Sequence, residues 1–412
     1  MLKDDIEIFI KHIYQYLVSG ENIHRLLVKK HSTNLQAQGD FSFPNTVKSW
    51  QDFLKCELQN LDSSLLKCIN KDVTNLEETS QNWEISVEKG FELKDRVHLF
   101  IDRVKSIHVC FQSAEHNNAF ILSRINLPES AVTSVPCEET SITSLRLKFL
   151  TDVVRNLYLI NLHPQNLNIV VSSRKSNIHC CDSKIVFCGT VLNAKTGSKE
   201  VTINANDYIR IRQEELTLIA QHKYGVRVST EDKWKKFISH LGESAVAFEL
   251  LQTKCSSPVK IVFDASSGSS KGSAFILYNC ARLEKILRTF DEKVNAGVYP
   301  ALPTKENTDL SLLTDEDEWC LIFNYIMGLP SLLRSSFEVN ETKCEFRAHL
   351  ICQYLSGMVG LFSKYYRRVR ILRESRKHLL PVMFARIHLL IILNNTLKLC
   401  LTILNIKSVS QM

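Results

Sequence analysis

The stretch CEFRAHLICQYLSGMVGLFSKYYRRVRIL (344–372) decides how this chain reads. Placed on an α-helix, Ile351, Leu355, Met358, Phe362, Tyr365 and Val369 fall on one face, because apolar residues recur at steps of three and four. Lys364, Arg367 and Arg368 fall on the opposite face. Arg370, Arg373, Arg376 and Lys377 follow, with Glu374 the one acid among them. One side of such a helix can dock on a core while the other offers positive charge to phosphates, with two tyrosines at its edge. A solvated basic face of a helical bundle accounts for the same pattern.

Charge supports a localised basic surface. The 412 residues carry a net charge of +7, and residues 271–412 hold 19 Lys and Arg against 13 Asp and Glu. Six of the seven surplus charges therefore sit in the C-terminal third, where they can steer a polyanion. The length suits two or three domains, and 44% apolar content is ordinary for a globular chain. The 13 cysteines are scattered, with no Cys-x-x-Cys pair, and read as reduced thiols of a cytoplasmic protein. His179, Cys180, Cys181 and Cys188 are soft ligands close in sequence, but their spacing matches no common zinc frame, and no metal or other cofactor is expected. MLKDDIEIF lacks the basic and apolar regions of a signal peptide. Residues 387–406 are apolar, yet His388, Asn394, Asn395 and Lys398 make a packed bundle helix a better reading than a membrane span.

Patterning divides the chain into an N-terminal α+β region (1–126), an α/β region (145–265) and an all-helical region (271–412). DIEIFIKHIYQYLV and SWQDFLKCELQNL have helical spacing, so residues 1–70 read as helix-rich. NWEISVEKG (82–90) alternates as a strand does, and FELKDRVHLFIDRVK (91–105) reads as a helix. Residues 127–144 are rich in Ser, Thr and Pro and read as a linker. Helices are expected over 145–160 and 206–225, with strands in NLNIVV, SKIVFCGTVL and PVKIVFD. SSGSSKGS (266–273) reads as a flexible break, and 298–313 as a loop. TDEDE (314–318) reads as a helix start capped by Thr314, with acids at the positive end of the dipole.

Several segments resemble arginyl-tRNA synthetases. They include LGESAVAFELLQ (241–252), the Gly272, Tyr278, Ala281 and Arg282 pattern in KGSAFILYNCARLEKIL (271–287), and Phe362-x-x-Tyr365-Tyr366. An apolar helix containing Ala385-Arg386 and a closing Leu404-x-Ile406 complete the likeness. Over about 240–412 the resemblance is to the all-helical DALR anticodon-binding domain, preceded by an α/β body like a degenerate class I synthetase. VFCGTVLNAKTGSKEVTINANDYIRIRQEELTLIAQHKYG (186–225), LYNCARL (277–283) and LLTDEDEWCLIFNYI (312–326) are similar to a non-synthetase relative, the DALR anticodon-binding domain-containing protein 3 family. That resemblance implies a tRNA-binding adaptor for arginine tRNAs, associated with a partner methyltransferase that makes 3-methylcytosine in the anticodon loop.

A class I synthetase would need a His-x-Gly-His type turn, but SITSLRLKFL (141–150) stands at the matching place. It would need a Lys-Met-Ser-Lys-Ser type loop, and NAKTGSKEVT (193–202) keeps only Lys195, Gly197 and Lys199. Phosphoryl chemistry depends on placed positive charge, so no enzyme activity is expected. No phosphate loop, nucleophile elbow or methyl-donor motif is present either. The RNA-binding set expected is Lys364, Tyr365, Tyr366, Arg367, Arg368, Arg370, Arg373, Arg376, Lys377 and Arg282. Each tyrosine can stack on a loop base or pack in the core, and Arg282 can contact RNA or brace Glu284. A divergent arginyl-tRNA synthetase-like ligase and a protein-binding scaffold are the alternatives.

Overall fold

Two residues with positive φ, Lys94 (46°) and Asp95 (59°), make a tight turn between strands Val87–Leu93 (β3) and Arg96–Ile101 (β4). This is the backbone twist that two-residue hairpins favour. The helix expected over 91–105 is therefore a hairpin arm. RVHLFI alternates half-buried and buried, a period of two. The helix begins only at Arg103, where the Asp102 carboxylate accepts the Lys105 N–H at 3.0 Å. The computed structural model describes all residues except 19–26, 55–62, 128–131, 136–139, 162–167, 175–182, 225–231, 264–269, 341–342 and 410–412.

The described chain packs as two units, each discontinuous in sequence. One comprises Met1–Asn117, Leu302–Ser331 and Arg373–Ile392, and the other Asn118–Ala301, Leu332–Leu372 and Leu393–Met412. Helices Arg103–Ile125 and Leu380–Ile403 contribute to both.

In the first unit, Lys29–Lys30 (β1) and Phe41–Pro44 (β2) join β3 and β4 in an antiparallel sheet of order β1-β2-β4-β3. The expectation of a helix-rich 1–70 missed β1 and β2. Helix Asp5–Leu17 is as expected, capped by Asp4, and its Phe9 packs 4.6 Å from Phe41. Phe41 also meets Phe323, which stacks on Trp319. The Glu316–Cys320 helix starts one residue later than expected. Asp315, not Thr314, is its cap, in a reciprocal capping box with Glu318. It runs into a wider π-helical turn over Leu321–Ile326. Buried Asp40 accepts the Trp319 indole N–H at 2.8 Å and the Ile101 N–H at 3.0 Å. Burial lifts its carboxyl to about 6. Helix Leu380–Ile403 is long and apolar enough to cross a membrane, but 72% of its most apolar window is buried inside the protein, as in a core helix.

The second unit holds a parallel sheet of Val132–Ser134 (β5), Asn168–Ser172 (β6) and Ser183–Phe187 (β7), and a parallel pair of Val191–Asn193 (β8) and Val259–Ile261 (β9). β5 lies inside the stretch expected to be a linker; its β-branched Val132 and Thr133 pair with β6. Helices Ile142–Ile160 and Ala205–Tyr224 follow the expected pattern, Asp232–Leu251 fills a stretch for which no helix was expected, and Ser270–Asn295 begins inside the stretch expected to be a flexible break. Ile142, Val191, Tyr208, Val246, Leu250 and Ile261 form a core. The chain is thus an α/β body followed by a mainly helical C-terminal region.

Two arginines hold this unit together. Arg146, 1% exposed, donates to the carbonyls of Leu250 (3.0 Å), Gly189 and Ser257 (both 2.7 Å) and Lys254 (3.1 Å). A side chain at Gly189 would collide with the Ser257 carbonyl, so only glycine permits this approach. Arg212 bridges Glu215 and Glu249 at 2.8 and 3.1 Å and donates to the Val262 carbonyl, while the Tyr208 hydroxyl donates to Glu249 at 2.6 Å. Those charges are paired on several sides, which offsets their desolvation.

Candidate RNA interface

The helix expected across 344–372 begins at Ala348, because Cys344–Phe346 (β11) pairs with Phe337–Val339 (β10) as a short hairpin. From there the expected faces hold. Ile351, Leu355, Met358 and Phe362 are at most 1% exposed, whereas Lys364, Arg367 and Arg368 are exposed. The helix ends at Arg368, and the Val369 N–H bonds the Tyr365 carbonyl at 2.9 Å. Arg367 and Arg368 in the last turn also complement the negative end of the helix dipole.

Tyr365 is fully buried, which corrects its place in the RNA-binding set. It continues the apolar stripe, and its ring belongs to the core. Tyr366, one residue on, rotates out and is 38% exposed, with its ring against Phe362.

Arg282 comes to this corner from helix Ser270–Asn295. Its guanidinium carbon lies 4.5 Å from the Tyr278 ring centroid and 4.7 Å from that of Tyr366. Such cation–π contacts fix the guanidinium plane. Nη2 donates to the Tyr278 hydroxyl at 2.9 Å and Nη1 to Asn279 Oδ1 at 3.2 Å. Arg282 does not brace Glu284, which pairs with Lys398 and Asn394. Arg282, Ile286 and Tyr366, with residues 367–372, line an open pocket of about 530 Å³. Its rim carries the exposed Arg367, Arg368 and Arg370. A preset guanidinium, a half-exposed aromatic and three cations can receive a planar ring and adjoining anions.

The remaining expected residues are placed differently. Arg373, Arg376 and Lys377 pack with the first unit. Arg373 is half-buried, and Arg376 is exposed but paired with Glu374 at 2.7 Å. Lys364 is exposed on the helix and does not line the pocket. Tyr278 and Asn279, absent from the expected set, orient Arg282. The legible signal was the four-residue step from Tyr278 to Arg282, which puts both on one helix face.

The segments at the synthetase signature positions have structural duties. Ser141 caps helix Ile142–Ile160 by accepting the Ser144 N–H, and Ile142, Leu147 and Leu150 are buried. NAKTGSKEVT makes a turn in which Asn193 accepts the Lys195 N–H, while Glu200 accepts from Asn193, Thr202 and Ile203. Lys195 and Lys199 are exposed on that turn. His179, Cys180 and Cys181 lie outside the described residues. Cys188 is buried, and no group of three metal-binding side chains occurs among the described residues.

Residues 276–412 match the family model of the DALR anticodon binding domain. The chain is 33% identical over 238 residues to DALR anticodon-binding domain-containing protein 3 of Danio rerio, covering 56% of this chain and 42% of that protein. It is 32% identical over 211 residues to the Mus musculus protein of that name, covering 50% and 39%. The chain thus spans less than half the length of these relatives. Arginine–tRNA ligase of Malacoplasma penetrans is 25% identical over 42% of this chain and 28% of its own length. Among solved structures, Thermus thermophilus arginyl-tRNA synthetase matches with a TM-score of 0.44 and 19% identity, over 60% of this chain and 41% of that one. Residues 276–412 are therefore a DALR anticodon binding domain, carried by a chain similar to DALR anticodon-binding domain-containing protein 3.

Proposed function

We propose that this chain is a non-catalytic, cytoplasmic tRNA-binding adaptor. It recognises arginine tRNAs and supports 3-methylcytosine formation in the anticodon loop by a partner methyltransferase. The observation that carries the reading is Arg282, held against Tyr278 and Tyr366 beside a pocket rimmed by Arg367, Arg368 and Arg370. An unpaired loop base can lie on Tyr366 or Arg282 while its flanking phosphates meet the rim. The likeness to arginine–tRNA ligases supports arginine tRNA as the substrate, and the likeness to DALR anticodon-binding domain-containing protein 3 supports a role other than that of a synthetase.

A methyltransferase facing one loop cytosine has little with which to tell tRNAs apart. An adaptor that holds the anticodon arm links two recognition events and raises the effective concentration of the second. It needs no catalytic group, in keeping with the capping and turn-forming duties of 141–150 and 193–202. The decisive experiment maps tRNA modification in cells lacking the chain. Loss of 3-methylcytosine from a subset of arginine tRNAs, with other tRNAs spared, is expected. No loss in arginine tRNAs, or a uniform loss across all tRNAs, would overturn the reading. Arginine-dependent pyrophosphate exchange by the purified chain should stay at background; clear turnover would make it a ligase.

A further inference from the structure

The pocket beside Arg282 carries a hydroxyl that RNA binding does not use. The Tyr366 ring lies 6.0 Å from that of Phe362, and its centroid 4.7 Å from the Arg282 guanidinium carbon. Tyr366 is 38% exposed, and its hydroxyl has no hydrogen-bond partner among the described residues. The other two tyrosines of this corner differ. Tyr365 is buried, and the Tyr278 hydroxyl already accepts from Arg282 at 2.9 Å. Tyr366 is thus the one of the three with an exposed, unused oxygen.

The surroundings of that oxygen are cationic. Arg282, Arg367, Arg368 and Arg370 line the pocket, and no carboxylate does. Such a wall stabilises an anion fixed to the protein as well as a visiting one. A phosphate on the Tyr366 oxygen would carry about −1.5 to −2 charges and three acceptor oxygens into reach of guanidinium donors. Tyr366 lies in the last turn of helix Ala348–Arg368, at the negative end of the dipole. That end carries only about half a charge, and the arginines oppose it with full ones.

We propose that Tyr366 is a phosphorylation site whose phosphate seats among these arginines and closes the pocket to RNA. A tyrosine kinase with ATP supplies the chemistry. The Tyr366 oxygen bonds to the γ-phosphorus, the bond to ADP breaks with its electron pair, and the phenol proton passes to the kinase's base. The last turn of a helix frays, which gives a kinase access to the segment. The phosphate would then occupy the cations that otherwise meet RNA, and its charge would repel the RNA backbone. This regulation rests on the adaptor reading, since it acts on the same site.

The test uses the full chain with phosphotyrosine installed at position 366 by amber suppression. The same sample after tyrosine-phosphatase treatment is the reference, and thermal melting checks that both are folded. Arginine tRNA should bind the phosphorylated chain about tenfold or more weakly, and phosphatase should restore the affinity. Phosphorus NMR reads the seat. The second pKa of the phosphate should lie below its usual ~6, and should return toward that value when Arg282→Gln and Arg367→Gln are combined. Equal tRNA affinity of the folded phosphorylated chain overturns the proposal. So does a phosphate that titrates alike with and without the two arginines, or the absence of phosphate on Tyr366 in chain recovered from vanadate-treated cells. If the unphosphorylated chain itself ignores tRNA, the adaptor reading falls, and the proposed seat stands or falls on the titration alone.

Discussion

Arg146 and Arg212 in the α/β body and Arg367, Arg368 and Arg370 at the C-terminal corner belong to one unit but do opposite work. The first two are buried and use their donors on carbonyls and carboxylates of the protein. The last three stand in solvent around a pocket. Arg282 lies between these cases, half-buried and oriented by two tyrosines, with one edge of its site open. Counting arginines locates charge in the chain; burial decides whether that charge is enclosed in the fold or stands at the surface.

The sharpest break of this comparison is Arg146→Met. It leaves several buried carbonyls without a donor, and the expected loss is at least ~3 kcal/mol of unfolding free energy in urea titration. An unchanged midpoint would mean that Arg146 is no more structural than Arg367. Next, reversing Arg367, Arg368 and Arg370 to Glu should cost tRNA affinity by roughly 100-fold or more, with melting unchanged. Each lost phosphate contact should lower the salt slope by about 0.7–0.9. Filter binding across a salt series reads both effects.

Asp40 extends the comparison to a buried acid. Its carboxyl is raised to about 6 from its ordinary 3.8, first by burial. The folded state therefore holds the proton more tightly than the unfolded state. This group's contribution to stability falls as pH rises from about 4 to 6, and rises again on acidification. Asp40→Asn should remove that component, worth at most ~3 kcal/mol, from a stability-versus-pH series. An identical slope in the two proteins would contradict it. The smallest effect is expected for Arg282→Lys. It keeps the charge but loses the planar fork and ring contacts, so tRNA affinity should fall about fivefold to tenfold.

Much of this was legible in the chain. Steps of three and four fixed the faces of Ala348–Arg368, including which basic residues point outward. The boundary was not legible, because Cys344–Phe346 is too short to show a period, and only its pairing with Phe337–Val339 makes it a strand. Tyr365 and Tyr366 looked equivalent; a single helical step of about 100° separates core from surface. The β3–β4 hairpin was hidden because Lys94-Asp95 lacks the glycine that usually marks such a turn. Segments 302–331 and 373–392 pack with the N-terminal residues. No local pattern encodes such a distant association.

The Arg146 clasp also bears on how the protein is made. Its carbonyl partners lie 43, 104 and 111 residues further along the chain, at Gly189, Leu250 and Ser257. Translation is vectorial, so helix Ile142–Ile160 emerges long before the groups that satisfy its arginine. Until then the guanidinium must stay hydrated, and the helix cannot seal against its neighbours. The clasp therefore closes late, as a high-contact-order step. A nascent chain halted before residue 257 leaves Arg146 without the Ser257 carbonyl and exposes part of an apolar core, the state that chaperones and proteases recognise.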